Sequence, residues 1–302
     1  MSHRRPGRRM RSLVFRVLRY SGVPWLLRVT VQRRRATIIL YHDPSPATVE
    51  EHLRALSRRY LVFSLPELVS ALADSAAVVP RKCLVVTFDD GYVGNYALLD
   101  VFRRYGVRPT FFVCTGLVGT NRGFWFRHSE DVETLKRVPD DERLRRLAAE
   151  GFNPDAAVPI REAMSADELR KLSATADIQA HTVSHPILTR CTEERARDEI
   201  RGAKRHLEER FGLTVYAIAY PNGDYDDEIM SLAREAGYHC ALAAGGGTNP
   251  RDVDVFRLKR ITIDDADGVD ELLVKASGLW QIFRLIRRSL NDRARGGRPR
   301  RT

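Results

Sequence analysis

The 302-residue chain predicts an α/β fold in which seven parallel strands, alternating with helices, close or nearly close a barrel. Three observations carry this expectation. Short apolar runs rich in Val, Ile, Thr, Phe or Tyr recur along the sequence, stretches with helical periodicity separate them, and several of those stretches stop at a glycine. An open doubly wound sheet is the competing architecture. No GxGxxG or phosphate-loop pattern accompanies the strands, and the three glycines at 245–247 are too short a signal to supply one.

The elements follow in order. A strand at 37–41 precedes helical patterns at 50–59 and 66–73; a second strand at 84–88 leads to a helix at 96–104, which ends before Gly106. The third strand, 110–114, is separated from the fourth, 178–180, by more than an ordinary loop. Residues 115–165 therefore form an insertion at a strand's carboxyl end, where a substrate lid would sit. Ser165 and Glu168 make a capping box for a helix at 166–172. Helices at 193–210 and 227–236 then alternate with strands at 215–220, 240–243 and 258–263.

Composition is that of a globular chain, 43% apolar and 29% charged, but the net charge of +11 is unevenly placed. Residues 1–35 hold 11 Arg and no acid, and residues 275–302 hold nine Lys or Arg against Asp292, which leaves residues 36–274 at −8. An acidic body argues against nucleic acid as a partner, since such enzymes carry basic charge around the cleft. Three regions are expected: a basic N-terminal segment (1–35), a catalytic domain (36–274) and a basic C-terminal segment (275–302).

Both ends also carry apolar residues at helical spacing: Met10, Leu13, Val14, Val17 and Leu18, then Trp25 to Leu27, and later Leu279, Ile282, Phe283, Ile286 and Leu290. Two readings stand open. They are basic amphipathic segments for an anionic membrane surface, or terminal helices packed on the body. Arg16, Arg19 and Arg28 interrupt the apolar runs, so neither a signal-peptide core nor a spanning helix is expected, and the expected location is the cytoplasm or the inner membrane face. Cys83, Cys114, Cys191 and Cys240 form no CxxC and read as free thiols.

If the strands are parallel, their carboxyl ends share one rim, where barrel enzymes build their sites. That rim would collect His42, Asp89 with Asp90, His181, and the "YPNG" of 220–223. Two adjacent aspartates at the end of an apolar strand are costly for a fold, although Asp-Gly is also a common turn. His181 and His185 are four apart, so a helical turn there would aim both imidazoles at one metal. Two His and one Asp with an open position suit hydrolysis, and the same ligands also suit Fe(II) oxygen chemistry.

"TFDDGY" at 87–92, "HTVSH" at 181–185 and "YPNG" at 220–223 resemble, in order, three motifs of the polysaccharide deacetylases, carbohydrate esterase family four, with the NodB homology domain. The resemblance covers roughly residues 36–264. It implies an incomplete seven-stranded barrel and a hydrolase of linear amides acting on N-acetylated sugars. It further implies Asp89 as general base and Asp90, His181 and His185 as ligands of a divalent metal, most often zinc. A backbone N–H near Asn222 is implied at the oxyanion, with Tyr220 of the same motif beside the substrate. Trp125 and Tyr225 are candidates to stack on a sugar ring, or else core aromatics.

Two departures stand out. The arginine often found before the third motif's proline is replaced by Ala219 and Tyr220, which leaves open what orients Asp89; and no histidine follows His239. "LYH" at 40–42 instead resembles the rearranged branch that deacetylates poly-β-1,6-N-acetylglucosamine, which makes His42 the general acid. Rival expectations are a deformylase or deacetylase of a lipid-linked amino sugar at the inner membrane surface, and a non-catalytic glycan-binding or membrane scaffold protein.

Overall fold

The computed structural model describes residues 7–74 and 79–294. Its strands are β1 (Arg35–Tyr41), β2 (Leu61–Phe63), β3 (Cys83–Phe88), β4 (Thr110–Val113), β5 (Asp177–Ala180), β6 (Ala217–Ala219), β7 (Cys240–Ala243), β8 (Asn249–Pro250), β9 (Leu258–Lys259) and β10 (Ile261–Thr262). They join in one sheet of order β10-β1-β3-β4-β5-β6-β7-β9, with β2 paired to β3 and β8 to β1. All pairings are parallel except β1 with β8.

The seventh strand comes in two pieces. Leu258 pairs with Leu242 of β7, Ile261 pairs with Ile39 of β1, and Arg260 lies between. One stretch of chain thus joins the two ends of the sheet and makes a nearly closed barrel.

Alternation along each strand sorts side chains between two cores. Ile39, Val86, Phe88, Phe111 and Ile218 join helix residues such as Leu53, Phe102 and Leu207, with Phe88 and Phe111 stacked at 4.6 Å. Ile38, Val85, Phe112, Ala219, Leu242 and Leu258 form the second cluster, together with Leu65 and Leu68 of the helix Leu65–Ala73. The helices follow the expected order, and the capping box is present, with the Ser165 N–H donating to Glu168 at 2.7 Å.

Differences are local. Residues 61–63 pair with β3 although three half-exposed residues carry no visible alternation, and the strand expected at 215–220 shrinks to β6. The insertion contains the short helices Val132–Leu135 and Asp140–Ala149, and it is tied back by the bridges Tyr92–Ala163 and Arg122–Ala157.

The helices Gly7–Tyr20 and Leu279–Ala294 both contact the helix Val269–Ala276. Phe15 is buried there with Val274 and Leu279, and its ring lies 4.7 Å from Trp280. Arg11 binds Glu271, and Arg16 and Arg19 reach Asp270. The helix Gly7–Tyr20 therefore docks by Phe15 and its basic side. The apolar stripe that periodicity marks is largely turned outward: Met10, Leu13, Val14 and Val17 are 70%, 61%, 46% and 63% exposed. Trp25, Leu26, Ile282, Phe283, Leu285 and Ile286 are exposed as well, whereas the side chain of Leu290 and the basic residues at 295–301 lie outside the described residues. Among the described residues no helix is long and apolar enough to cross a membrane.

Candidate active site

Parallel pairing brings the ends of β1, β3, β5 and β6 to one rim, and the residues that follow them line a cavity of about 320 Å³. His42, Asp89, Asp90, His181, His185 and Asn222 all face it. The insertion contributes Phe126, Val132 and Lys136 to the opposite wall.

The two aspartates separate because the backbone turns sharply between them. Asp90 takes a left-handed φ of 71° and Gly91 one of 83°. A Cβ on Gly91 would stand 2.9 Å from Val113 Cγ1, so both the turn and the tight packing require glycine.

Asp89 points to Arg260. The guanidinium donates from Nη1 to Oδ1 at 2.6 Å and from Nη2 to Oδ2 at 2.8 Å, and both residues are buried. Arg260 also donates to the Ala243 carbonyl and lies 5.4 Å from the Phe112 ring centroid. Burial opposes ionisation of Asp89, but the paired guanidinium outweighs it and holds the carboxyl below its ordinary range. Sequence reasoning missed Arg260. The available signal was an arginine inside the apolar run "RLKRITI", which demands a buried counter-charge.

Asp90 points the other way. Its Oδ1 lies 3.4 Å from His181 Nε2 and 3.4 Å from His185 Nε2, and although buried it has no hydrogen-bond partner. His181 Nδ1 is 2.8 Å from the Ala219 carbonyl, so Nδ1 donates there and Nε2 is the nitrogen turned to Asp90. Burial, and then the neighbouring His181, push His185 well below its ordinary pKa and keep it neutral; burial pushes Asp90 up. An orphaned carboxylate oxygen facing imidazole nitrogens is the chemistry of a cation site. Ligand atoms bonded to one tetrahedral ion at about 2.0–2.1 Å are separated by about 3.4 Å, so these residues fit a metal such as zinc. Among the described residues Asp90, His181 and His185 form the one such cluster.

The histidines do not converge through a helical turn, as their spacing predicts. Thr182 and His185 adopt left-handed φ values of 65° and 59° in a loop, and the His185 N–H donates to Thr182 Oγ1. Buried Glu199, from the helix Glu193–Phe211, holds that loop by accepting from the Val183 and Ser184 N–H groups at 2.7 and 2.8 Å and from Ser184 Oγ at 2.6 Å. Nothing in the sequence marks Glu199 apart from other helix acids.

His42 is half-buried in the cavity wall, its carbonyl accepting from Asn95 Nδ2 at 2.8 Å. Asn222 reaches the rim with a φ of 58°. The three aromatic candidates stand elsewhere. Tyr220 is buried, with its hydroxyl donating to the Phe256 carbonyl and its ring stacked on Tyr225; Tyr225 lines a neighbouring cavity. Trp125 is 5% exposed, donates from Nε1 to the His185 carbonyl and lines a separate cavity of about 810 Å³. The aromatics that line the candidate site are Tyr92 and Phe126, the latter edge-on to His185 at 4.8 Å.

A polysaccharide deacetylase family model matches residues 76–241, from before β3 to within β7. The chain belongs to the polysaccharide deacetylase family. Among curated relatives of this deacetylase, YxkH of Bacillus subtilis (strain 168), provisionally named a polysaccharide deacetylase, is 22% identical over 243 residues, 78% of this chain and 73% of that one. Two solved structures share the fold. The Streptococcus pyogenes deacetylase PplD in complex with acetate matches with a TM-score of 0.60 at 20% identity, covering 80% of this chain and 98% of its own. IcaB from Ammonifex degensii matches with a TM-score of 0.60 at 18% identity, covering 82% and 98%. The NodB-type barrel implied by the motifs is thus the fold of this deacetylase.

Proposed function

We propose that this chain is a metal-dependent hydrolase that removes N-acetyl groups from N-acetylated sugars, with residues 36–274 as its catalytic unit. The observation that carries this is the division of labour at 89–90. Asp89 is locked to Arg260 as an anion, while Asp90 faces the Nε2 atoms of His181 and His185.

Asp90, His181 and His185 would hold a divalent cation, which when bound would supply Lewis acidity for hydrolysis of the acetyl group. Asp89 takes a proton from the attacking water, and Arg260 keeps the carboxylate anionic and oriented. The backbone N–H at Asn222 offers a donor to the oxyanion. As the C–N bond breaks, His42 gives a proton to the departing nitrogen, which leaves poorly without one. Acetate release from N-acetylglucosamine oligosaccharides by wild-type protein, lost in Asp89→Ala, is the expected result. Equal release by both would remove Asp89 as the base.

Arg260 gives a pH prediction. Asp89 is depressed in the folded protein, so the acid limb of kcat/KM lies below the ordinary carboxylate range; Arg260→Gln removes the opposing charge and moves that limb to higher pH. A variant whose limb does not move would show that another group sets it.

The outward apolar stripe of Gly7–Tyr20, beside an N-terminal segment of 11 Arg and no acid, favours an anionic membrane surface as a partner. Leu13→Glu with Val17→Glu, both exposed, should weaken binding to phosphatidylglycerol vesicles without lowering thermal stability, and salt should weaken the wild type. Undiminished vesicle binding by the double variant would exclude this stripe as the contact.

A further inference from the structure

Beside the candidate active site lies another cavity, of about 510 Å³, walled in part by residues 27–35 and 277–285. Leu27 comes from the helix Val23–Val29, Ile282, Arg284 and Leu285 come from the helix Leu279–Ala294, and the glycines at 245–247 come from the loop after β7. Ala244 lines this cavity and the active site alike. The two spaces therefore adjoin.

Its charge is one-sided. Arg35, Lys259 and Arg284 line it, no Asp or Glu does, and none of the three makes an ion pair or side-chain hydrogen bond with another described residue. Elsewhere on the molecule arginines are commonly matched, as Arg11, Arg19 and Arg197 are. The buried side-chain oxygen of Gln281, another lining residue, also has no partner. Gly246 packs where a Cβ would stand 2.6 Å from Gln281 Cγ, at a φ of 82°, so the glycine run is needed to bring the loop this close. The lining also includes Ile282 and Leu285, 42% and 67% exposed, on the helix Leu279–Ala294.

Unpaired cations beside exposed apolar side chains, in a cavity adjoining the candidate site, are complementary to an anionic amphiphile. We propose that this cavity is a subsite for the phosphate and adjoining apolar chain of a lipid-linked amino sugar. The acetamido group of that substrate enters the active site past Ala244. The subsite rests on the deacetylase function proposed above, and it narrows the substrate from any N-acetylated sugar to one carried on a lipid phosphate.

Decyl phosphate, used below its micellar concentration, is the direct probe. Full-length protein should bind it more tightly than inorganic phosphate, and the triple variant Arg35→Gln/Lys259→Gln/Arg284→Gln should bind it about tenfold more weakly or worse. In parallel, kcat/KM for N-acetylglucosamine joined to decyl phosphate should fall by a similar factor in the triple variant, while kcat/KM for the methyl glycoside should not change. Leu285→Asp, at an exposed position, should selectively weaken the decyl conjugate. Equal decyl phosphate affinity in the triple variant and wild type would overturn the subsite, as would inorganic phosphate binding as tightly as decyl phosphate. Loss of phosphatidylglycerol vesicle binding with undiminished decyl phosphate affinity would assign the cations to the bilayer surface and overturn it too. If wild type binds decyl phosphate but hydrolyses neither conjugate, the subsite stands and the deacetylase function fails.

Discussion

Asp90→Ala, His181→Ala and His185→Ala should each leave the purified protein depleted of divalent metal and inactive on acetylated sugars. Loss of a residue that merely supports a ligand already costs roughly 10–100-fold in metal affinity, and loss of a ligand itself should exceed that. Elemental analysis after dialysis, and titration of apo-protein with Zn2+, read the effect without relying on turnover. The expectation is firmest for His181, whose Nδ1 is fixed by the Ala219 carbonyl so that Nε2 alone is presented. Asp90 is almost as constrained, because its unpartnered Oδ1 stands 3.4 Å from both ring nitrogens. Full metal retention by all three single variants would remove the proposed centre.

His42→Ala should separate proton donation from metal binding. His42 shares the cavity but is outside the Asp90, His181 and His185 cluster, so metal content should stay near wild type while amide turnover falls by roughly two to four orders of magnitude. An activated ester needs little protonation of its leaving group, so the loss should shrink on that substrate. Asp89→Ala should impair both substrates, because both need an activated water. Equal losses on amide and ester in His42→Ala would point to substrate binding, and unchanged amide turnover would exclude His42 as the acid.

Local pattern made much of this legible. The strands at β1, β3, β4 and β7 lie within a residue or two of their expected bounds, because each is a buried apolar run with a turn signal after it. "FDDGY" and "HTVSH" announced a site through motif order, and the parallel sheet gathers their side chains in one cavity. What stayed hidden depends on partners distant in sequence. Asp89 finds Arg260 across 171 residues, and the 181–185 loop takes its shape from Glu199 and from two non-glycine residues with positive φ. Aromatic identity did not say whether Trp125, Tyr220 and Tyr225 would reach substrate or fill space. Periodicity likewise found the apolar stripe on Gly7–Tyr20 but not its direction, which the acidic residues of the receiving helix decide.

Arg260 interrupts the strand whose two halves join the ends of the sheet, and this ties reactivity to the order of assembly. The "FDD" segment is synthesised early and its counter-charge late, and the contact between them spans more than half of the chain. Until the last strand docks between β7 and β1, Asp89 lacks the guanidinium that favours its anion, and the space around it lacks one wall. A partly folded chain therefore carries all three motifs with Asp89 unpaired, and that carboxylate gains its charged partner only when the last strand joins the two ends of the sheet.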